Sequence, residues 1–147
     1  MTLRRRPGVA ADLPMVFRAE RDYIRNVEPD QEAAWTAAID RNLALWIAEL
    51  DRTTVLECDG RPAGFATWTR AGDTATLVTV QVLPEFRRRG LGRLLVRWFI
   101  DQARSAGCAA VELGVHRDNP ARDLYEGVGF TRVGEDGPYL LFALPSS

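Results

Sequence analysis

Apolar positions recur along this chain in two rhythms, and the switches between them mark its elements. Thr2 to Arg6 reads as a short strand ending at Pro7-Gly8. Behind Asp12, a residue suited to cap a helix, Leu13, Val16, Phe17, Glu20 and Ile24 follow at helical spacing. After Glu28-Pro29, Asp30 opens a second run in which Trp35, Ile39, Leu43, Trp46, Ile47 and Leu50 recur every three or four residues, which predicts one longer amphipathic helix.

From Thr53 the period changes. Thr53 to Cys58 and Ala63 to Trp68 are β-rich runs around Asp59-Gly60, a dipeptide that suits the positive-φ positions of a tight hairpin, and Ala75 to Leu83 follows through Ala71-Gly72-Asp73. These three predict an antiparallel meander. A helix from Leu91 to about Ser105 is closed by Gly107, and a buried-looking strand spans Ala109 to Val115. Asn119 and Pro120 supply an N-cap and a first helical residue for a short helix through Leu124 and Tyr125, before a closing hairpin of Phe130 to Val133 and Tyr139 to Leu144.

This order predicts an α/β fold: a mixed, mostly antiparallel central sheet, a parallel strand-helix-strand crossover over Ala75 to Val115, and about four flanking helices. At 147 residues, without internal repeats, low-complexity tracts or linker-like runs, the chain reads as a single domain over 1–147.

Composition narrows the function classes. The 46% apolar and 27% charged residues are an ordinary globular balance. A formal net charge of -1 gives no bulk attraction to nucleic acid or anionic lipid, and Arg4 to Arg6 and Arg87 to Arg89 lack the interleaved aromatics of a nucleic-acid surface. No apolar stretch approaches the roughly 18 residues of a membrane helix, and no apolar core follows the Met-Thr-Leu-Arg-Arg-Arg start. The expectation is a cytoplasmic protein with no membrane partner. Cys58 and Cys108 lack metal-type spacing and read as reduced thiols, so no metal is expected.

Candidate chemistry begins where the third meander strand hands over to the long helix. Arg87-Arg88-Arg89-Gly90-Leu91-Gly92-Arg93 puts free backbone N–H groups, a helix dipole and four arginines beside two residues without Cβ, which together suit an anion. A Walker loop is excluded because the chain has no lysine, and a dinucleotide fingerprint fails because Leu95 stands where the third glycine belongs.

Val82-x-Pro-x-x-Arg-x-x-Gly-x-Gly92 resembles the acetyl-CoA signature of the GNAT superfamily, and the element order is similar to that family from end to end. Asn119-Pro120-Ala121-x-x-Leu124-Tyr125-x-x-x-Gly129-Phe130 resembles its second signature. The resemblance implies an acetyl-CoA-dependent N-acetyltransferase with a primary amine as acceptor. It assigns the pyrophosphate to the amides of Arg87 to Arg93, including Arg88, Arg89, Gly90, Leu91 and Gly92. Val80, Gln81 and Val82 become the edge that pairs with the pantetheine arm, with the Val80 amide as donor to the thioester carbonyl. Asn119 joins the cofactor set, and Tyr125 becomes the acid that protonates the leaving thiolate. Dimers are common in the family, which makes a homodimer a candidate assembly.

The base stays open. Some members carry a glutamate on the cofactor-binding strand, whereas Ala75 to Leu83 contains no carboxylate; His116, Glu112, a water chain, or an acceptor amine that enters already deprotonated are the alternatives. Glu20, Asp22, Glu28, Asp30 and Glu32, close in sequence to Tyr23 and Trp35, suggest a carboxylate collar for a cationic amine on the acceptor side. The competing reading is a CoA-binding regulatory module of the same fold without turnover.

Overall fold

The predicted meander is the centre of one seven-stranded sheet in the computed structural model, which describes residues 1–145. Its strands are β1 (Leu3–Pro7), β2 (Thr53–Cys58), β3 (Arg61–Ala71), β4 (Thr74–Val82), β5 (Ala110–His116), β6 (Thr131–Asp136) and β7 (Tyr139–Ala143). They run in the order β1-β2-β3-β4-β5-β7-β6, antiparallel throughout except for the β4–β5 pair. The helices are α1 (Leu13–Val27), α2 (Glu32–Ala37), α3 (Ile39–Ala48), α4 (Leu91–Ser105) and α5 (Arg122–Val128). The Asp59-Gly60 turn adopts the positive φ at both residues, 51° and 82°, that its sequence suggests.

Alternation along the strands separates two cores. Val55 of β2 and Phe65 of β3 face one side and pack with Val16 of α1 and Trp46 of α3. Their neighbours Leu56 and Ala66 face the other, against Leu95, Val96 and Phe99 of α4, together with Tyr125 of α5 and Phe130. Burial of Phe65, Phe99 and Phe142, each no more than 1% exposed, anchors both layers. Both cysteines are buried and free.

Three local expectations are corrected. The single long second helix is two, broken at Ala38 (φ -99°, ψ 15°), whose N–H is shared between the carbonyls of Ala34 and Trp35 at 3.1 and 3.2 Å. Asn42 Nδ2 donates to the same Trp35 carbonyl, and the break lets Trp35 sit against both Phe17 and Trp46, with ring centroids 5.9 and 6.4 Å away. Asp12 is not a side-chain cap: its carboxylate accepts from both Arg6 Nη atoms at 2.8 and 2.9 Å and from the Val9 amide, tying β1 to the start of α1. The last helix begins at Arg122 rather than Pro120, because Asn119 Oδ1 accepts from the Ala121 amide at 2.9 Å and closes a turn ahead of it.

Candidate functional site

The site is a gap in the sheet. Parallel pairing of β4 with β5 runs only from Thr74–Ala110 to Leu77–Leu113, after which Gly114, Val115 and His116 pair with β7 alone. At that point Val78 is an extra residue on β4, since Thr67 opposes Thr79 while Trp68 opposes Leu77. Such a bulge bends its strand, here at the point where β4 parts from β5. The Leu83 amide donates to the Ala63 carbonyl at 2.8 Å, and alternate residues present their backbone groups to opposite edges. Gln81 and Thr79 therefore also face β3. The backbone groups of Val80 and Val82 face the gap.

At the far end of this open edge lies the arginine and glycine turn. Arg88 and Gly90 adopt positive φ, 63° and 75°, which swings the chain into α4. Among the described residues no group accepts from the amides of Arg88 through Arg93, so six consecutive N–H groups stand unpaired at the start of a 15-residue helix. A Cβ on Gly90 would meet no protein atom within 4 Å, leaving the turn open above it. Gly92 differs: its Cβ would lie 3.0 Å from Leu124 Cδ1, so its lack of side chain also lets α4 approach α5.

A cavity of about 690 Å³ joins this turn to the open edge, walled by Val80, Val82, Phe86, the turn itself and the segment 119–121. Arg87, Arg88 and Arg93 line it, and Arg87 Nε donates to the Val82 carbonyl at 3.0 Å. The Arg89 side chain does not; it lies over Phe86, 5.7 Å from the ring centroid, and reaches Met1 Sδ at 3.6 Å.

A second cavity of about 220 Å³ opens beside the first and shares Tyr23, Val80 and Asn119 with it. Here α1 and the β5–α5 loop meet across the gap, with Asn119 Nδ2 donating to the Tyr23 hydroxyl at 3.0 Å. Tyr125 lines this cavity, 6% exposed, its ring edge-on to Phe130. Its hydroxyl has no hydrogen-bond partner among the described residues, and burial, followed by the charge of Glu20, pushes the phenol up and keeps it protonated. Gln81, expected along the cofactor, points its side chain into this second cavity instead.

Two carboxylates lie inside. Glu28, 5% exposed, accepts from the Tyr139 hydroxyl at 2.6 Å. Glu20, 9% exposed on α1, accepts from the Thr79 hydroxyl at 2.6 Å; burial dominates and raises its carboxyl to about 7. Of the expected collar, Asp22 is exposed and Glu32 pairs with Arg25 at 3.0 Å. Asp30 stands outside, 3.6 Å from His116 Nε2.

The two bases read from sequence fit less well. Glu112 is exposed on β5 and lines neither cavity. His116 is buried edge-on to Tyr139, its Nδ1 accepts from the Asp118 amide at 3.1 Å, and its Nε2 lies on the side of Asp30, 3.6 Å from that carboxylate. Glu20 is the buried carboxylate that reading did not weigh as a base. The signal was present: Val16, Glu20 and Ile24 form one buried stripe of α1, so a carboxylate stands where the spacing calls for an apolar residue.

The pattern of the acetyltransferase (GNAT) family matches residues 14–130, from α1 through α5 to Phe130. The chain belongs to that family. A ribosomal protein bS18-alanine N-acetyltransferase of Salmonella typhimurium is 42% identical over 79 residues, 53% of this chain and 53% of the relative. A mycothiol acetyltransferase of Thermomonospora curvata is 33% identical over 157 aligned positions, 92% of this chain and 52% of the relative. This GNAT chain thus spans about half the length of these curated relatives. The PaiA N-acetyltransferase of Thermoplasma acidophilum, solved in complex with coenzyme A, superposes with a TM-score of 0.82 over 98% of this chain and 99% of that one at 18% identity, a likeness of fold. Among the described residues no helix is long and apolar enough to cross a membrane.

Proposed function

We propose that this GNAT chain transfers the acetyl group of acetyl-CoA to a primary amine. The observation that carries the reading is the continuous path from six unpaired amides at the turn, along the exposed backbone of Val82 and Val80, to the Tyr125 hydroxyl. The residues fit the cofactor. The amides of Arg88 to Arg93, with Arg87, Arg88 and Arg93 around them, suit a pyrophosphate, while the strand edge presents alternating donors and acceptors to the amides of a pantetheine arm. Acetyl-CoA, when bound, supplies an activated carbonyl and a thiolate leaving group. The Val80 amide is placed to donate to the carbonyl oxygen as it gains charge, at no cost of reorganisation because β3 fixes the strand. Tyr125 holds its proton at neutral pH and gives it to sulfur. Asn119 braces the loop against α1 through Tyr23, so its side chain acts on the walls rather than on the cofactor.

A second, polar cavity at the same point supports turnover over a module that only holds CoA, which has no use for an acceptor chamber.

Acetyl-CoA at a hundredfold excess over Kd is expected to stabilise the fold by about 2.7 kcal/mol, raising the melting temperature, while NAD leaves it unchanged. The same preparation, offered a panel of primary amines, should release free thiol. An unmoved melt together with silent thiol readout removes the assignment. Gly90→Val sharpens it: the new Cβ meets no protein atom within 4 Å, so beyond about 1–2 kcal/mol of strain from its positive φ the effect falls on the ligand. We expect a retained cooperative melt and a lost response to acetyl-CoA; a normal response would refute the anion-turn argument.

A further inference from the structure

The second cavity presents a chemical asymmetry. Among the described residues no arginine lines it; its walls carry two carboxyl groups, Glu20 and Glu28, and the single histidine, His116. Those two carboxylates are placed differently. Glu28 is engaged by Tyr139 at 2.6 Å and sits toward the α1 C-terminus. Glu20 accepts at Oε1 from Thr79, the residue next to Val80 on β4, and Gln81, two residues further along the same strand, also hydrogen-bonds the carboxylate. Its charge is felt at Tyr125, which places it near the proposed acid.

We propose that this cavity receives the acceptor as a small alkylammonium ion and that Glu20 is the catalytic base that removes its proton. This rests on the acetyl-transfer reading above and deepens it by naming the base and the charge state of the substrate. An N–H bond of the ammonium breaks with its electron pair left on nitrogen, and an O–H bond forms at Glu20 Oε2. The freed lone pair makes the new C–N bond as the C–S bond breaks. Sulfur takes its proton from Tyr125, the second proton shed by nitrogen returns to the Tyr125 oxygen, and Glu20 passes the first to water. A carboxylate with an ordinary pKa would be a poor base for this step at neutral pH; burial corrects that, lifting Glu20 to about 7, while Thr79 pulls in the opposite direction. The groups facing Glu20 are Thr79, Gln81, Glu28 and Tyr125, and Tyr23, His116 and Tyr139 line the same chamber. Free amino acids fit poorly, since their carboxylate would enter a chamber lined by two buried carboxyl groups and no arginine.

Propylamine and putrescine serve as probes, with acetyl-CoA binding followed separately by calorimetry. For the wild type, kcat/KM should rise with pH and level off above about 7, then hold until the amine itself titrates near 10. Glu20→Gln should bind acetyl-CoA normally, lose about a hundredfold or more in kcat/KM at pH 7, and regain rate with unit slope up to pH 9 and beyond as bulk base supplies free amine. Thr79→Val is the second variant: it leaves the carboxylate in place, removes the hydrogen bond that lowers its pKa, and should move the plateau to higher pH. A Glu20→Gln enzyme with the wild-type profile, or a plateau unmoved in Thr79→Val, overturns the base assignment. Acetylation of neither probe by a protein that binds acetyl-CoA overturns the ammonium assignment, whereas absent acetyl-CoA binding defeats the transferase reading beneath both.

Discussion

Tyr125→Phe is expected to slow acetyl transfer by about a hundred- to ten-thousandfold, or roughly 3 to 5 kcal/mol of barrier, while leaving the fold and acetyl-CoA affinity close to wild type. The separation follows from where the ring and the hydroxyl sit. The ring packs edge-on against Phe130 in the α4-side core, and phenylalanine keeps that contact. Among the described residues the hydroxyl has no hydrogen-bond partner, so its removal leaves none of them unsatisfied and costs little stability. Single-turnover measurement at saturating acetyl-CoA reads the chemical step free of product release. A rate within about threefold of wild type there would leave the hydroxyl no role as an acid.

A second large effect is expected in stability rather than rate. Because burial raises the Glu20 carboxyl from 4.5 to about 7, its neutral form is the one the ligand-free fold prefers. Stability from this group is fully present below about 4.5 and is lost as pH rises through 7, to a ceiling of about 3 kcal/mol for a shift of this size. Glu20→Gln, neutral at every pH, escapes that loss. Between pH 5 and pH 8 the variant should gain on the wild type by several degrees in melting temperature, since about 3 kcal/mol corresponds to roughly 6–12 °C for a domain of this size. A melting difference that stays constant over that range would show that Glu20 ionises freely in the fold.

Local chemistry made much of this architecture readable before any coordinates. The helix at Leu91–Ser105 and the strand at Thr53–Cys58 are found at their expected bounds, because Gly90, Gly107 and the Asp59-Gly60 turn mark their ends within a few residues. The anion turn was legible for the same reason. What escaped depends on contacts distant in sequence. No proline or glycine announces the break at Ala38, which is set by how Trp35 and Trp46 meet Phe17 and each other. The Val78 bulge is defined only by its partner strand, and without it neither the gap nor the meeting of Glu20 with Thr79, some 59 positions along the chain, has a sequence signature. His116 was ambiguous as a bare residue and loses that ambiguity once the Asp118 amide occupies one nitrogen.

The gap between β4 and β5 also bears on how freely this protein can drift. Along the pantetheine edge the proposed contacts are main-chain groups of Val80 and Val82, which every residue except proline carries alike. Mutation there is filtered by the walls and the bulge, not by the identity of a donating side chain. A recognition surface written in the backbone is therefore nearly invisible to substitution, and acceptor preference can be rewritten at Glu28, Trp35 or Tyr139 while the cofactor grip passes unchanged from one sequence to the next.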